Sequence, residues 1–298
     1  MKQNPESSWR VVVFTNIPGG GVYHFAEEVL QPLGHRVVGV VTTPGPRRRR
    51  STDYLSVVSA VRPGIDVIVT THMNRLAAML APLEPDLIIS GGFPWLIPAD
   101  VIALPRLGAI NMHPSFLPRH RGPHSLEWAF RNGDPEIGFT VHRLDSAFDT
   151  GAVLAQMGVP ITDDDDVESM VAKFPTVTPT LLREAISRVA RGDAGEPQDE
   201  SQATYAERFE DAWRVIDWAQ PSRTIHNQVR SWTGFRGMPR GAVGSIEGTP
   251  ITVTRSRLPR DPQLTAATPG AVLFRGDELM TVQCGDGPLD IVEWSTAG

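Results

Sequence analysis

Over the first two thirds of the chain, short apolar runs rich in Val and Ile alternate with segments whose apolar residues recur at helical spacing. The runs are WRVVVFTN (9–16), HRVVGVVTT (35–43), DVIVTT (66–71), DLIISGGF (86–93) and GAINMH (108–113), and the helical patterns between them cover 21–34, 52–61 and about 74–83. Apolar runs bounded by turns and separated by helices predict parallel strands covered on both faces, a doubly wound α/β sheet. A further helix is predicted at HSLEWAFRNG (124–133), with Leu126, Ala129 and Phe130 on one face. An antiparallel pair of strands should follow, FTVHRL (139–144) and AVLAQMGVPI (152–161). A long helical pattern from about Val167 to Arg191 contains Pro175 and Pro179, which are expected to interrupt it.

The pattern then changes. GDAGEPQDESQAT is polar and carries Gly and Pro, which reads as a linker over 193–204 between a domain at 1–192 and a second at 205–298. After it a helix is predicted to open near Pro221, with Ile225, Val229 and Trp232 on one face. The closely spaced runs AVGSIEG, PITVTRSRL, GAVLFRG, LMTVQCG and LDIVEW predict a small antiparallel β-barrel of the OB-like kind.

Composition narrows the class. A chain of 298 residues with 41% apolar and 21% charged residues is ordinary for a soluble protein of two domains. No apolar run approaches the roughly 20 residues that span a bilayer, and the polar opening MKQNPESSWR has no signal-peptide core, so a cytoplasmic protein without a membrane partner is expected. Cys284 is the single cysteine, which excludes a disulfide framework and a cysteine metal site. The other histidines have no metal-ligand spacing, and Asp163–Asp166 read as acids leading into a helix, so no metal is expected. Gly19–Gly21 lack the spacing of a dinucleotide fingerprint and read as a turn. The net charge of -6 argues against indiscriminate nucleic-acid binding, DNA included. It is unevenly spread, however: Arg47–Arg50 form one basic cluster, and seven arginines stand against the one acid Glu247 between Ala219 and Arg260.

The candidate chemistry lies in INMHPSFLPRHRGP (110–123). Asn111 and His113 are two apart on a strand and project from one face, and Pro114 ends the ladder directly after them. They therefore sit at the strand's carboxyl end, where open α/β sheets bind ligands. An amide N–H and a ring N–H at such a place can stabilise an oxyanion. Taken singly, the same two residues also suit a packed core histidine and an amide bonded to a loop. Asp149, before Thr150–Gly151, suits a turn former or a carboxylate that orients a histidine or accepts a proton.

Asn111, His113, the S-F-L-P run at 115–118, R-H-R-G at 119–122, N-G-D at 132–134 and D-T-G at 149–151 occur in one order. In that order the chain resembles the folate-dependent formyltransferases, from about Arg10 to Trp294 and including IDWAQPSRTIHNQVRSW, which is similar to the opening of that family's C-terminal barrel. The resemblance implies a Rossmann-like formyltransferase domain and a 10-formyltetrahydrofolate co-substrate. It implies that Asn111, His113 and Asp149 are the catalytic set: the first two stabilise the charge on the formyl oxygen, and Asp149 takes up the amine proton and positions His113. It also implies a pterin pocket formed by Gly91, Gly92, Phe93, Trp95, Leu96 and Ile97, by Ser115, Leu117 and Pro118, and by Val141, Leu144 and Asp145. Arg119 and Arg121 would stand at its mouth, where a carboxylate of the folate tail or the acceptor binds. Arg47 and Arg48 would serve the tail or the acceptor.

Family members formylate methionyl-tRNA or amino sugars, or let water take the formyl group. Three departures favour a small amine here. FTNIPGGG (14–21) stands where the tRNA enzyme has an F-A-G-T-P-like turn, PHSLEW follows R-G, and WTGFRGMPRGA (232–242) replaces a compact N-P-W-P-G-A. An amino sugar or natural-product amine is therefore the expected acceptor. The tRNA alternative draws on Arg47–Arg50 and the basic 219–260 stretch, and hydrolysis of 10-formyltetrahydrofolate is the third reading. A catalytically dead RNA-binding relative is disfavoured by the intact Asn111, His113 and Asp149.

Overall fold

The structure is a computed structural model that describes residues 8–45, 52–234, 238–261 and 266–296. Arg47–Arg50 and Arg236 lie outside the described residues. The apolar runs become β1 (Arg10–Thr15), β2 (Arg36–Thr42), β3 (Asp66–Val69), β4 (Leu87–Gly91) and β5 (Ala109–His113). The helical patterns become α1 (Gly21–Leu30), α2 (Asp53–Ala60), α3 (Leu76–Leu80) and α5 (Ser125–Asn132), and a short helix that the pattern did not predict, α4 (Ala99–Ile102), lies between β4 and β5. With β6 (Glu136–Arg143) and β7 (Val153–Pro160) they build a seven-stranded sheet of order β3-β2-β1-β4-β5-β6-β7. The pairs β1–β2, β2–β3, β1–β4 and β4–β5 are parallel and β5–β6 is antiparallel. In β1 and β4, Val11–Phe14 and Leu87–Ile89 are wholly buried, as strands covered on both faces must be. The strand order reverses between β1 and β4, which opens a crevice at the carboxyl ends of the central strands.

Beyond the sheet, α6 (Val167–Ala190) is one continuous helix of 24 residues. The expected interruption at Pro175 and Pro179 does not occur. Each proline forgoes one helical hydrogen bond, while buried Val167 and Met170 before them and Leu181, Leu182, Ala185, Ile186 and Val189 after them hold both halves of the helix in place.

The chain folds into two compact units. The first comprises Met1–Arg121, Gly138–Gly158 and Pro175–Thr204; the second comprises Gly122–Ile137, Val159–Phe174 and Tyr205–Gly298. In the second unit, α7 (Ser222–Ser231) precedes β8 (Ala242–Ile246), β9 (Thr249–Arg257), β10 (Val272–Arg275), β11 (Met280–Gln283) and β12 (Pro288–Thr296). These strands form an antiparallel sheet of order β10-β11-β12-β9-β8, the sheet of a small barrel domain. Its core joins Ile225 and Val229 of α7 to Trp218, Ile246, Ile251, Val253, Met280, Val282, Leu289 and Ile291. Among the described residues, no helix is long and apolar enough to cross a membrane.

Candidate active site

The strand period does what it predicts for Asn111 and His113. Both lie at the carboxyl end of β5, and antiparallel pairing sets Asn111 opposite His142 and His113 opposite Thr140. Asp149 reaches them from the turn between β6 and β7, where its backbone is left-handed at a φ of 59°. That conformation is tolerated by Asp and Asn better than by most residues. Gly151 follows because nothing larger fits: a Cβ there would stand 1.9 Å from the Arg143 carbonyl oxygen.

The four side chains meet at one atom. Asp149 Oδ1 lies 3.4 Å from Asn111 Nδ2 and 3.6 Å from both His113 Nδ1 and His142 Nε2. His142 Nδ1–H donates to the Arg143 carbonyl at 2.7 Å, so its Nε2 carries the lone pair that accepts from Asn111 Nδ2 at 3.1 Å. These partners select the amide orientation of Asn111 and the tautomer of His142 together. His113 Nε2–H donates to the His120 carbonyl at 2.8 Å, which turns Nδ1 toward Asp149. Burial pushes the His113 pKa below the ordinary histidine value, and the Asp149 carboxylate opposes that shift. The resting ring is therefore neutral, with a basic Nδ1 facing a carboxylate.

Around this centre, Ser115 Oγ donates to the Arg119 carbonyl, and Thr140 Oγ1 donates to the Ser115 carbonyl while accepting from the Leu117 amide. Gln156 Nε2 donates to the carbonyl of Leu117, and Leu117–Pro118 is a cis peptide. The loop after β5 is thus pinned to β6 and β7. Phe93, Ile97 and Leu144 share one apolar cluster with Phe14, and Val141 and Leu117 are buried. Gly91 and Gly92 close on Val22 and Ile17, Trp95 Nε1 donates to Thr43 Oγ1, and Leu96 is exposed. Asp145 Oδ1 accepts from Thr150 and from the Ala147 amide, which shapes the turn that carries Asp149.

The basic residues divide. Arg119 is exposed, whereas Arg121 is buried with its guanidinium engaged by Gln198 and Glu200. Arg47 and Arg48 lie outside the described residues. His142 was not expected at the centre. Its signal is the polar pair Thr140 and His142 two apart on β6, mirroring Asn111 and His113 on β5, but only the strand register shows that they face each other.

The donor set suits a formyl carrier. An amide N–H and an imidazole converge beside a carboxylate with no metal-binding group among the described residues, and apolar side chains stand near for a flat ring. A cavity of about 280 Å3 in the second unit, lined by Asp163–Asp166, Arg230 and Thr254–Arg257, contains none of these residues.

The model of the formyl transferase family matches residues 35–186, and that of the formyl transferase C-terminal domain matches 209–298. A methionyl-tRNA formyltransferase of Trichlorobacter lovleyi is 34% identical over 98% of this chain and 91% of its own length. Among solved structures, the N-formyltransferase of Helicobacter canadensis in complex with folinic acid and dTDP-3-aminofucose superposes with a TM-score of 0.69 at 16% identity, covering 97% of this chain and all of that one. HypX of Aquifex aeolicus in complex with tetrahydrofolic acid superposes with a TM-score of 0.67 at 20% identity, over 98% of this chain and 45% of its own. These relatives overturn the small-amine acceptor expected above. The near-full-length similarity above 30% is to proteins named for methionyl-tRNA, while the sugar enzyme shares the fold at half that identity. The departures at 14–21, 123–128 and 232–242 are outweighed by similarity along both matched segments.

Proposed function

The chain belongs to the formyl transferase family, and within it we propose that the protein is a methionyl-tRNA formyltransferase using 10-formyltetrahydrofolate. The observation that carries this reading is the 34% identity to such an enzyme over 98% of the chain, spanning both the formyl-transfer segment and the C-terminal domain.

When bound, 10-formyltetrahydrofolate supplies a formyl group on an aryl nitrogen able to leave. Asn111 Nδ2 keeps one proton on His142 Nε2 and turns the other, which rests 3.4 Å from Asp149 Oδ1, to the oxygen on which negative charge develops as the amine adds. Asp149 takes up the proton that the methionyl amine loses. His113 Nδ1, facing the carboxylate at 3.6 Å, is the atom that can receive this proton and present it toward the same oxygen, because Nε2–H is committed to the His120 carbonyl. The buried carboxylate stabilises the imidazolium so formed, which would pass the proton on to the departing nitrogen, so that the proton lost by the amine ends on tetrahydrofolate.

The C-terminal arginines fit a tRNA partner through exchange of ion pairs. Arg223 pairs with Asp163, Arg240 with Glu168, Arg255 with Glu293 and Arg257 with Asp290, and all four arginine side chains are more than half exposed. Such pairs are worth about 0–1 kcal/mol, so phosphates can replace the carboxylates at little cost and with release of counterions. The test is tetrahydrofolate release from 10-formyltetrahydrofolate with methionyl initiator tRNA, uncharged tRNA, or neither. Release that depends on methionyl-tRNA is expected; release indifferent to it overturns the reading.

A further inference from the structure

Gln198 lies in the polar segment 193–204, yet its side-chain amide is fully engaged. Nε2 donates to the backbone carbonyls of Asp149 at 3.0 Å and Gly151 at 2.8 Å. Oε1 accepts from Arg121 Nε at 3.1 Å and Nη2 at 2.7 Å. The orientation admits no flip: carbonyls can only accept and a guanidinium can only donate. Arg121 is fixed in turn from outside, with Nη1 and Nη2 on the two oxygens of Glu200 at 2.9 and 2.7 Å. Its backbone amide donates to the Thr204 carbonyl, and the preceding residue, His120, supplies the carbonyl that holds His113 Nε2. One Arg–Gln pair thus ties the loop that orients His113 to the left-handed turn that carries Asp149.

We propose that Gln198, held by Arg121, is a positioning residue for formyl transfer: it clamps the Asp149 turn so that the carboxylate stays in line with His113 Nδ1 and Asn111 Nδ2. The inference rests on the roles assigned above to Asn111, His113 and Asp149. A non-glycine residue at a φ of 59° persists only where its surroundings hold it there. The Gln198 amide provides this hold by bonding the carbonyls on both sides of Thr150. Displacement of a reacting group by about 1 Å costs on the order of a hundredfold in rate. Loss of the clamp should therefore appear in kcat, and KM should not change.

The test variant is Gln198→Glu. It keeps an oxygen for Arg121 but turns a second oxygen, in place of the N–H donors, toward the carbonyls of Asp149 and Gly151. The expected result is a kcat lower by about 10- to 100-fold, KM values for 10-formyltetrahydrofolate and methionyl-tRNA within about twofold of the parent, and a displaced pH profile of kcat, since the carboxylate that supports the charged His113 has moved. Parent kcat overturns the proposal, and so does a loss shared between kcat and KM with an unmoved pH profile. Arg121→Lys, a point charge without the fork that serves Gln198 and Glu200 together, should show the same signature more weakly, and keeps the test decisive if Gln198→Glu does not fold. Asp149→Asn, assayed alongside, separates the two levels. Activity in that variant overturns the site assignment itself, whereas an inactive Asp149→Asn beside a parent-like Gln198→Glu overturns the clamp alone.

Discussion

Replacing Asp149 by Asn removes a charge and little else. Asn matches the side-chain volume, and it tolerates the left-handed backbone at φ 59° as well as Asp does. The turn, its clamp by Gln198 and the contact with Asn111 should all survive. The magnitude has two parts. Loss of a positioned general base typically lowers the rate about 10²–10⁴-fold, or about 3–5 kcal/mol of barrier. The second part concerns His113. At the 3.6 Å separating Asp149 Oδ1 from Nδ1, a carboxylate favours an imidazolium by about 4–5 kcal/mol at an effective dielectric of about 20. Burial already disfavours that form, so without the carboxylate the ring stays neutral over the working pH range.

Both parts act on the reacting state, so the expected outcome is a kcat at least about a hundredfold lower with little change in KM. The acid limb of the kcat profile should also be lost. Single-turnover formation of formylmethionyl-tRNA at saturating substrates measures the step directly, and circular dichroism with thermal unfolding checks that the fold is intact. Single-turnover activity within about threefold of the parent, or a loss confined to KM, would refute the reasoning.

Other substitutions probe the same geometry from different sides. Asn111→Ala removes a donor to the developing oxyanion and should lower kcat by about a hundredfold without changing folate affinity, which fluorescence titration would report. Gly151→Ala forces a Cβ against the backbone oxygen of Arg143, which cannot swing aside, so urea unfolding should show about 3 kcal/mol or more of lost stability. The His226 pKa is pushed down to about 4 by burial, with Arg230 adding to the shift; the unfolded chain therefore binds the proton first as pH falls, and stability should decline between pH 6.5 and 4 by about 3 kcal/mol, a slope that His226→Gln should remove. Burial pushes the Cys284 thiol up to about 12, so a thiol reagent at pH 8 should leave native protein unlabelled and modify it only in denaturant.

The periods of the chain were enough to place Asn111 and His113 on one face at the end of β5, because a strand's alternation and a following proline are local facts. What joins them to Asp149 is not local. Composition marked 193–204 as polar connection, and nothing in GEPQDE distinguishes a glutamine that bonds two carbonyls from one that bonds water. Arg121 looked like an open cation for the same reason: the carboxylate and amide that occupy its fork lie almost eighty residues further along the chain. The prolines of α6 misled in the other direction, since a local penalty was outweighed by burial on both flanks. His142 is the most instructive case, because its role depends on register. A slip of one residue between β5 and β6 would turn His142 and Thr140 to the opposite face and leave Asn111 without its acceptor. That register is held by Thr140, whose hydroxyl bonds the Ser115 carbonyl and the Leu117 amide. It is held again at Gly138, where a Cβ would stand 2.2 Å from the backbone nitrogen of Phe116. Only glycine lets β6 pass so close to the loop that follows His113. The residues that hold β6 in register with β5 are therefore a threonine and a glycine with no chemistry of their own, so nothing in their side chains marks them as part of the site.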